Sequence, residues 1–175
     1  MRRILFAPLS ILAGVLASPG VLAADFRALD FNAACDNLPA QEAGLDSKPF
    51  EEPLPSGFQY AFRARDMDRD VVVAYACREG RFFRGAYIFA ARDEADATAL
   101  YTALKRRVTR ERGAPSYDFA SAEHRRKMQS AGAVLARSDT QVAFWNNHHS
   151  EAHVSVAVPS GQRGWRVSLS FTAEE

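Results

Sequence analysis

The chain has 175 residues, a quarter of them charged, and a formal net charge of +1 at pH 7. Nucleic-acid binding would call for a clear positive excess, so we expect no nucleic-acid partner. The length is sufficient for one domain with a sizeable core.

The first residues have the layout of a secretory signal peptide. Arg2 and Arg3 form a positive start, residues 4–16 are mostly apolar, and residues 21–23 place small or tolerated side chains before a cleavage point. A membrane anchor is the alternative, but a spanning helix needs about 20 uninterrupted apolar residues. We therefore predict a signal peptide of the Gram-negative type over 1–23, a single α+β domain over 24–175, and a periplasmic or secreted location without a transmembrane segment after signal removal.

Cysteine usage agrees with export. Cys35 and Cys77 are the two cysteines of the chain, and an even pair in an oxidising compartment predicts a disulfide. A reactive thiol is the alternative, but neither cysteine lies in a CxxC pair or beside a histidine.

The first half of the predicted domain combines a short helix with three strands. Asn32 and Gly44 bound a short helical segment that includes Cys35, and residues 46–57 contain three prolines and predict an irregular loop. Apolar residues then alternate with a period of two, which predicts strands over 58–64, 71–77 and 81–91. The third of these stretches is apolar on both faces, which indicates a central strand covered on both sides.

A long amphipathic helix follows. Asp93 can cap a helix that runs to Arg112, and Gly113 can end it. One apolar stripe runs along this helix and should pack on the sheet: Ala97, Leu100, Tyr101, Leu104 and Val108.

Alternation resumes in the last third of the chain, over residues 140–145, 153–158 and 165–171. The fold class is therefore predicted as α+β. We expect an antiparallel sheet of about six strands in two three-strand meanders, with the helix Asp93 to Arg112 packed on it. A short N-terminal helix is tied to the sheet by the disulfide.

Three of the four histidines are close together, at His148, His149 and His153. With Glu151 as a fourth ligand they form a candidate metal site on a hairpin, because imidazole binds zinc, copper or nickel. Adjacent histidines on a strand point to opposite faces, so a solvent-exposed turn is the alternative interpretation.

A second candidate metal site is weaker. Asp66, Asp68 and Asp70 begin a calcium-loop pattern, but Val71 and Cys77 stand where glycine and glutamate are required. The pattern therefore indicates a charged turn.

A candidate partner surface combines Trp145, predicted to be exposed, with the basic end of the long helix at Arg106, Arg107 and Arg110. The alternative is that these cations only complement the helix dipole.

No hydrolase, phosphate-loop, zinc-protease or dinucleotide motif is present in the sequence. We therefore expect no enzyme and no cofactor, but a binding or envelope-assembly module whose partner is another envelope or secreted protein. The alternative function is metal binding by the histidine loop.

Overall fold

The computed structural model describes residues 26–27, 29–54, 56–119, 139–147, 150–157 and 164–173. Within these ranges the chain forms two α-helices and one antiparallel sheet of eight strands. The predicted α+β class is confirmed, whereas the predicted number of six strands is wrong.

The elements are, in chain order, a 3₁₀ turn Cys35–Asn37, α1 Leu38–Ala43, β1 Lys48–Pro49, β2 Tyr60–Asp66, β3 Arg69–Arg78, β4 Arg81–Ala91, α2 Glu94–Arg112, β5 Tyr117–Phe119, β6 Asp139–Asn147, β7 Ser150–Ala157 and β8 Trp165–Ala173. None of the helices in the described ranges is long and apolar enough to cross a membrane.

The strands are ordered β1-β2-β3-β4-β8-β7-β6-β5, and every neighbouring pair is antiparallel. The predicted pair of meanders is inexact, because β4 and β8 pair and join both halves into one sheet. The two strands that the pattern missed, β1 and β5, extend the outer edges. They have two and three residues, too few for an alternation to be visible. The predicted central position of β4 is confirmed.

One face of the sheet, which we call the covered face, packs against the helices. Its side chains lie opposite one another in register from β2 to β6: Phe62, Val73, Tyr87, Leu169, Val154 and Ala143. All six belong to the hydrophobic core together with the predicted apolar stripe of α2, which is buried as expected. The core therefore lies between this face and a layer made of α2, α1 and the segment before α1.

The start of α2 is set by its capping residues. The Asp93 side chain accepts a hydrogen bond of 2.8 Å from the backbone N–H of Asp96, one turn into the helix. Asp96 is itself buried, and both of its carboxylate oxygens accept from the guanidinium of Arg69 on β3, at 3.1 and 2.5 Å. The hydrogen bonds from Arg69, and after them one from the backbone N–H of Arg92, hold the pKa of Asp96 well below its usual range. The first turn of the helix is thus tied to the β2–β3 hairpin.

The second half of α2 is held by further polar contacts to the covered face. Arg107 pairs with Asp66 on β2 at 2.8 Å, and Lys105 pairs with Asp118 on β5. Arg112 donates to the Ser150 side chain on β7 at 2.8 Å. The helix therefore reaches both halves of the sheet.

The segment before the 3₁₀ turn inserts an aromatic ring into the core. Phe26 is 2% exposed and contacts the rings of Tyr75, Phe82, Tyr87 and Phe171. A Cβ atom at residue 85 would lie 2.3 Å from this ring, so the position has room only for Gly85.

The predicted Cys35–Cys77 disulfide is present and joins residues 42 apart in sequence. It ties the 3₁₀ turn to the end of β3, beside a backbone hydrogen bond of 2.9 Å from Cys35 to Gly80. The α-helix begins at Leu38 and is followed by Gly44, so the predicted helical segment is divided into a 3₁₀ turn and one short α-helix.

Helix α1 places one carboxylate in the core. Glu42 is 1% exposed, accepts a hydrogen bond from the Tyr75 hydroxyl, and lies 2.9 Å from Nε of Arg27. Burial, and next to it the bond to Glu42, raises the pKa of Tyr75. The segment that the disulfide ties down is therefore also held by a buried polar contact.

Candidate functional site on the open face of the sheet

The second face of the sheet, which we call the open face, has no helix on it in the described part of the chain. Among the described residues, the hydrogen bonds and ion pairs that join α1 or α2 side chains to the sheet end on the covered face. The central row of the open face runs in register from β2 to β6 through Ala61, Ala74, Ala86, Ser170, His153 and Phe144. Small residues occupy its first four strands and larger side chains the last two.

This distribution of side-chain size gives the open face its shape. Ala74, Ala76 and Ala86 are at most 2% exposed and form a low floor. Next to this floor lies a cavity of about 350 Å³, within the size range of small-molecule sites. Its lining is Arg84, Tyr117, Val142, Phe144, Glu151, His153, Ser170 and Thr172.

Arg84 provides the positive charge of the cavity. It lies on β4 between Ala76 and Thr172 in register, and its guanidinium carbon is 4.9 Å from the centre of the Phe58 ring. Because Ala76 is small, the long arginine side chain has room to reach that ring. Burial lowers the pKa of Arg84, yet no carboxylate of the described residues forms an ion pair with it.

His153 lies on β7, opposite Ser170 on one side and Phe144 on the other. Burial, and in addition the positive charge of Arg84, lowers its pKa to about 4. At neutral pH the ring is therefore uncharged and offers one donor and one acceptor nitrogen to the cavity.

Of the three predicted metal ligands the structure describes only His153, because His148 and His149 lie outside the described residues. His153 lies within β7, three positions after its first residue, Ser150. The charged group that acts on its imidazole is Arg84. The described residues contain no group of three potential metal ligands. Metal binding by this loop stays a prediction, which calorimetric titration with zinc would test.

A second concavity of about 610 Å³ lies toward the β1 edge, and its wall includes Arg63, Arg65, Val72 and Ile88 of the open face. Arg63 pairs with Glu52 at 2.6 Å. One cation of this second concavity is therefore already neutralised, and its other two, Lys48 and Arg65, are exposed. Arg84 is half-buried, which makes the Arg84 cavity the better candidate site.

The expectation that Trp145 is exposed is wrong. Trp145 is 2% exposed and donates from its indole nitrogen to the Gly113 carbonyl, 3.0 Å away, just after α2. The face of β6 that packs on the helix carries Ala143 and Trp145, whereas Phe144 lies on the open face. Trp145 is therefore not part of an exposed partner surface.

The basic end of α2 divides into two kinds of arginine. Arg106 and Arg110 are exposed. Arg107 is half-buried, paired with Asp66, and lies 5.8 Å from the centre of the Tyr87 ring. Arg107 is thus part of the contact between helix and sheet, while Arg106 and Arg110 lie in solvent as the partner-surface prediction requires.

The three aspartates of the calcium-like pattern surround a tight hairpin turn. Met67 and Asp68 have positive φ angles of 51° and 59° between the paired residues Asp66 and Arg69, as in a type I′ turn. The Asp66 carboxylate is bound by Arg107. This segment therefore forms a charged turn, as the sequence indicates.

Arg84 and Ser170 are site residues that the sequence reasoning missed. The available signal was Arg84 itself, a charged residue within the apolar run of a central strand. Which residues surround it depends on the pairing of β4 with β8 and of β8 with β7, and these strands are far apart in sequence.

Compared with protein families, curated proteins and solved structures, the chain gives no match. The geometry of the open face is therefore the basis for a functional proposal.

Proposed function

We propose that this chain is an exported, disulfide-bonded, non-enzymatic binding module that binds through the open face of its sheet. The observation that supports this proposal is the Arg84 cavity, which lies on a face without a helix in the described residues. Binding sites are commonly concave and combine apolar walls with a few polar groups, and the lining of this cavity has that composition.

Export is supported by two independent features. The first 23 residues have the pattern of a cleavable signal, and Cys35 and Cys77 form a disulfide, a bond that persists in oxidising compartments. Mass spectrometry of the native protein should find a chain that begins after Ala23 and contains no free thiol. An intact leader together with two free thiols would remove this part of the proposal.

Binding is favoured over catalysis by the state of the polar groups. Ser170 and His153 are direct neighbours across β8 and β7, which is the pairing a serine nucleophile with a histidine base would use. No hydrogen bond joins these two side chains, and a histidine with a pKa of about 4 is a poor base at neutral pH. The pair therefore lacks the activation that nucleophilic catalysis requires.

Affinity capture from envelope extract tests whether the open face is the binding surface. Thr172→Glu places a charge in the Arg84 cavity on the open face, and Ala99→Glu places the same charge on the exposed side of α2 as a matched control. We expect the wild type and Ala99→Glu to retain the same partner or ligand and Thr172→Glu to lose it. Equal retention by both variants would exclude the open face, and no retention by the wild type would contradict a binding role.

A further inference from the structure

The guanidinium of Arg84 differs from other arginines of this fold. Five of them have a carboxylate partner: Arg27 with Glu42, Arg63 with Glu52, Arg69 and Arg92 with Asp96, and Arg107 with Asp66. Arg84 has none among the described residues, although it is half-buried. A half-buried charge without an ionic partner has lost part of its hydration, which favours the binding of an anion beside it.

The orientation of Arg84 leaves its donors available. The Phe58 ring, 4.9 Å away, takes up one flat side of the guanidinium. No hydrogen bond runs from its N–H groups to the described residues. A guanidinium has five donors in a planar fork, and this fork matches the two oxygens of a carboxylate.

The rest of the cavity defines the size and charge of the ligand. Ser170 and Thr172 supply hydroxyl groups, and Phe144 supplies an apolar wall. Glu151 lines the same cavity and is not paired with Arg84. Its negative charge would repel a dianion more strongly than a monoanion, which favours a carboxylate over a phosphate.

We propose that Arg84 binds the carboxylate group of a small monoanionic ligand, whose apolar part lies over Ser170 and against Phe144. This inference rests on the proposed binding function and names the chemical class of the ligand. Phe58 holds the guanidinium in place, and the cavity of about 350 Å³ limits the ligand to a small molecule or to the end of a larger one.

The proposal is tested by NMR titration of the isotope-labelled exported chain with three probes. Benzoate has a carboxylate and an apolar ring, benzamide is its neutral analogue, and inorganic phosphate is a different anion. We expect saturable shifts of the Ser170 and Thr172 amide signals with benzoate, at least roughly tenfold weaker binding of benzamide, and weaker binding of phosphate. Similar affinity for benzoate and benzamide, or no saturable shift with benzoate, would overturn the carboxylate assignment, and so would preference for phosphate.

Three variants identify the residue responsible. Arg84→Met keeps the length and apolar stem of the side chain but removes its charge, and should weaken benzoate binding by roughly tenfold or more. Arg78→Met is the matched control, because Arg78 also lies over a phenylalanine ring, at 4.8 Å from Phe83, but outside the cavity. Glu151→Gln removes the repelling charge and should tighten benzoate binding. Unchanged affinity in Arg84→Met, or no tightening in Glu151→Gln should Arg84→Met fail to fold, would refute the proposal.

The two proposals fail in different ways. If affinity capture depends on Thr172 but benzoate causes no saturable shift, the open face is a binding surface and the carboxylate assignment is wrong. If benzoate binds through Arg84 but capture of a partner or ligand does not depend on Thr172, the cavity binds carboxylates and the broader role of the open face is refuted.

Discussion

At the scale of single residues, the contact between Gly85 and Phe26 shows how tightly the centre of the core is packed. The Phe26 ring occupies the space that a side chain at position 85 would fill. Glycine is required here for close approach and not for an unusual backbone angle, because its φ is not among the positive values of this chain.

We therefore expect Gly85→Ala to destabilise the protein by about 1–3 kcal/mol, since an added methyl group forces the ring or the strand to move. The measurement is the free energy of unfolding from chemical denaturation. Ala90→Ser, at an exposed position of the same strand, is the control and should change this energy by less than about 0.5 kcal/mol. An unchanged unfolding midpoint in Gly85→Ala would show that Phe26 is not seated against residue 85.

His153 is a second residue whose surroundings lead to a measurable effect. Its pKa falls from an ordinary value of 6.5 to about 4 in the folded chain, where it lies near Arg84 and shares a cavity with Glu151. Between these two pH values the unfolded chain binds a proton at this position and the folded chain does not. The unfolded state is therefore favoured as the pH decreases, and stability rises with pH through this window.

We expect the wild type to lose up to roughly 3 kcal/mol more stability than His153→Gln between pH 7 and pH 4. Glutamine is close in size and does not titrate, so the difference between the two pH profiles reports on this histidine alone. Denaturation at a series of pH values provides the measurement. Parallel profiles for the two proteins would mean that residue 153 is solvated in the folded state.

At the scale of elements, α2 combines intrinsic helix signals with contacts that reach both halves of the sheet. Its acidic start, basic end and capping aspartate are local features that stabilise any helix. The pairs Arg69–Asp96 and Arg107–Asp66 then fix where this helix lies. Local signals thus define the helix, and long-range ion pairs define its position.

The cap of α2 gives the third prediction. Asp93→Ala removes the acceptor for the Asp96 backbone N–H and should cost about 1 kcal/mol of unfolding free energy. Glu94→Ala is the control, because it removes an exposed acid from the same turn without removing a capping bond. Thermal or chemical denaturation should show a larger loss for Asp93→Ala, and equal losses would mean that the charge rather than the hydrogen bond matters.

The edge strands are elements that depend on their partners. Lys48–Pro49 pairs with Phe62 and Arg63, and Tyr117–Phe119 pairs with residues 142–144. Pro49 cannot donate to a ladder, which is acceptable at an edge where one side of the strand is unpaired. Each segment is a strand because it pairs with its neighbour, not because one of its faces is buried. For this reason neither has a periodic pattern of apolar residues.

At the scale of the whole molecule, the disulfide holds the covering layer of the N-terminal segment on the sheet. The segment from Phe26 to Ala43 contributes Phe26, Leu38 and Glu42 to the interior. Cys35 attaches this segment to β3 across 42 residues of chain. In the unfolded state the link therefore limits how far this segment can separate from the part of the chain that forms β3.

Replacement of both cysteines by serine, Cys35→Ser with Cys77→Ser, should reduce the free energy of unfolding by about 4 kcal/mol in the chain-entropy description. Dithiothreitol should lower the wild type to the level of the double variant and leave the variant itself unaffected, which controls for the change in side chains. If the reduced wild type unfolded at the same denaturant concentration as the oxidised protein, the bridge would not contribute to stability.

Much of this fold could be predicted from local patterns. Alternation with a period of two revealed β2, β3, β4, β6, β7 and β8, and helical spacing with a capping aspartate revealed α2 to the residue. The pair Cys35–Cys77 followed from the count of cysteines. These features depend on neighbours in the chain, or on the only partner that exists, and the sequence by itself was sufficient to determine them.

Only the tertiary structure decided which face of each strand is covered and which groups meet there. The Val142 to Trp145 stretch is apolar on both faces, so its pattern could not show that Trp145 packs under α2 and Phe144 on the open side. In the same way, nothing near Arg84 in the sequence indicates His153 or Ser170 as neighbours. Strand pairing brings these residues together from distant parts of the chain, and the candidate site is a product of that long-range register.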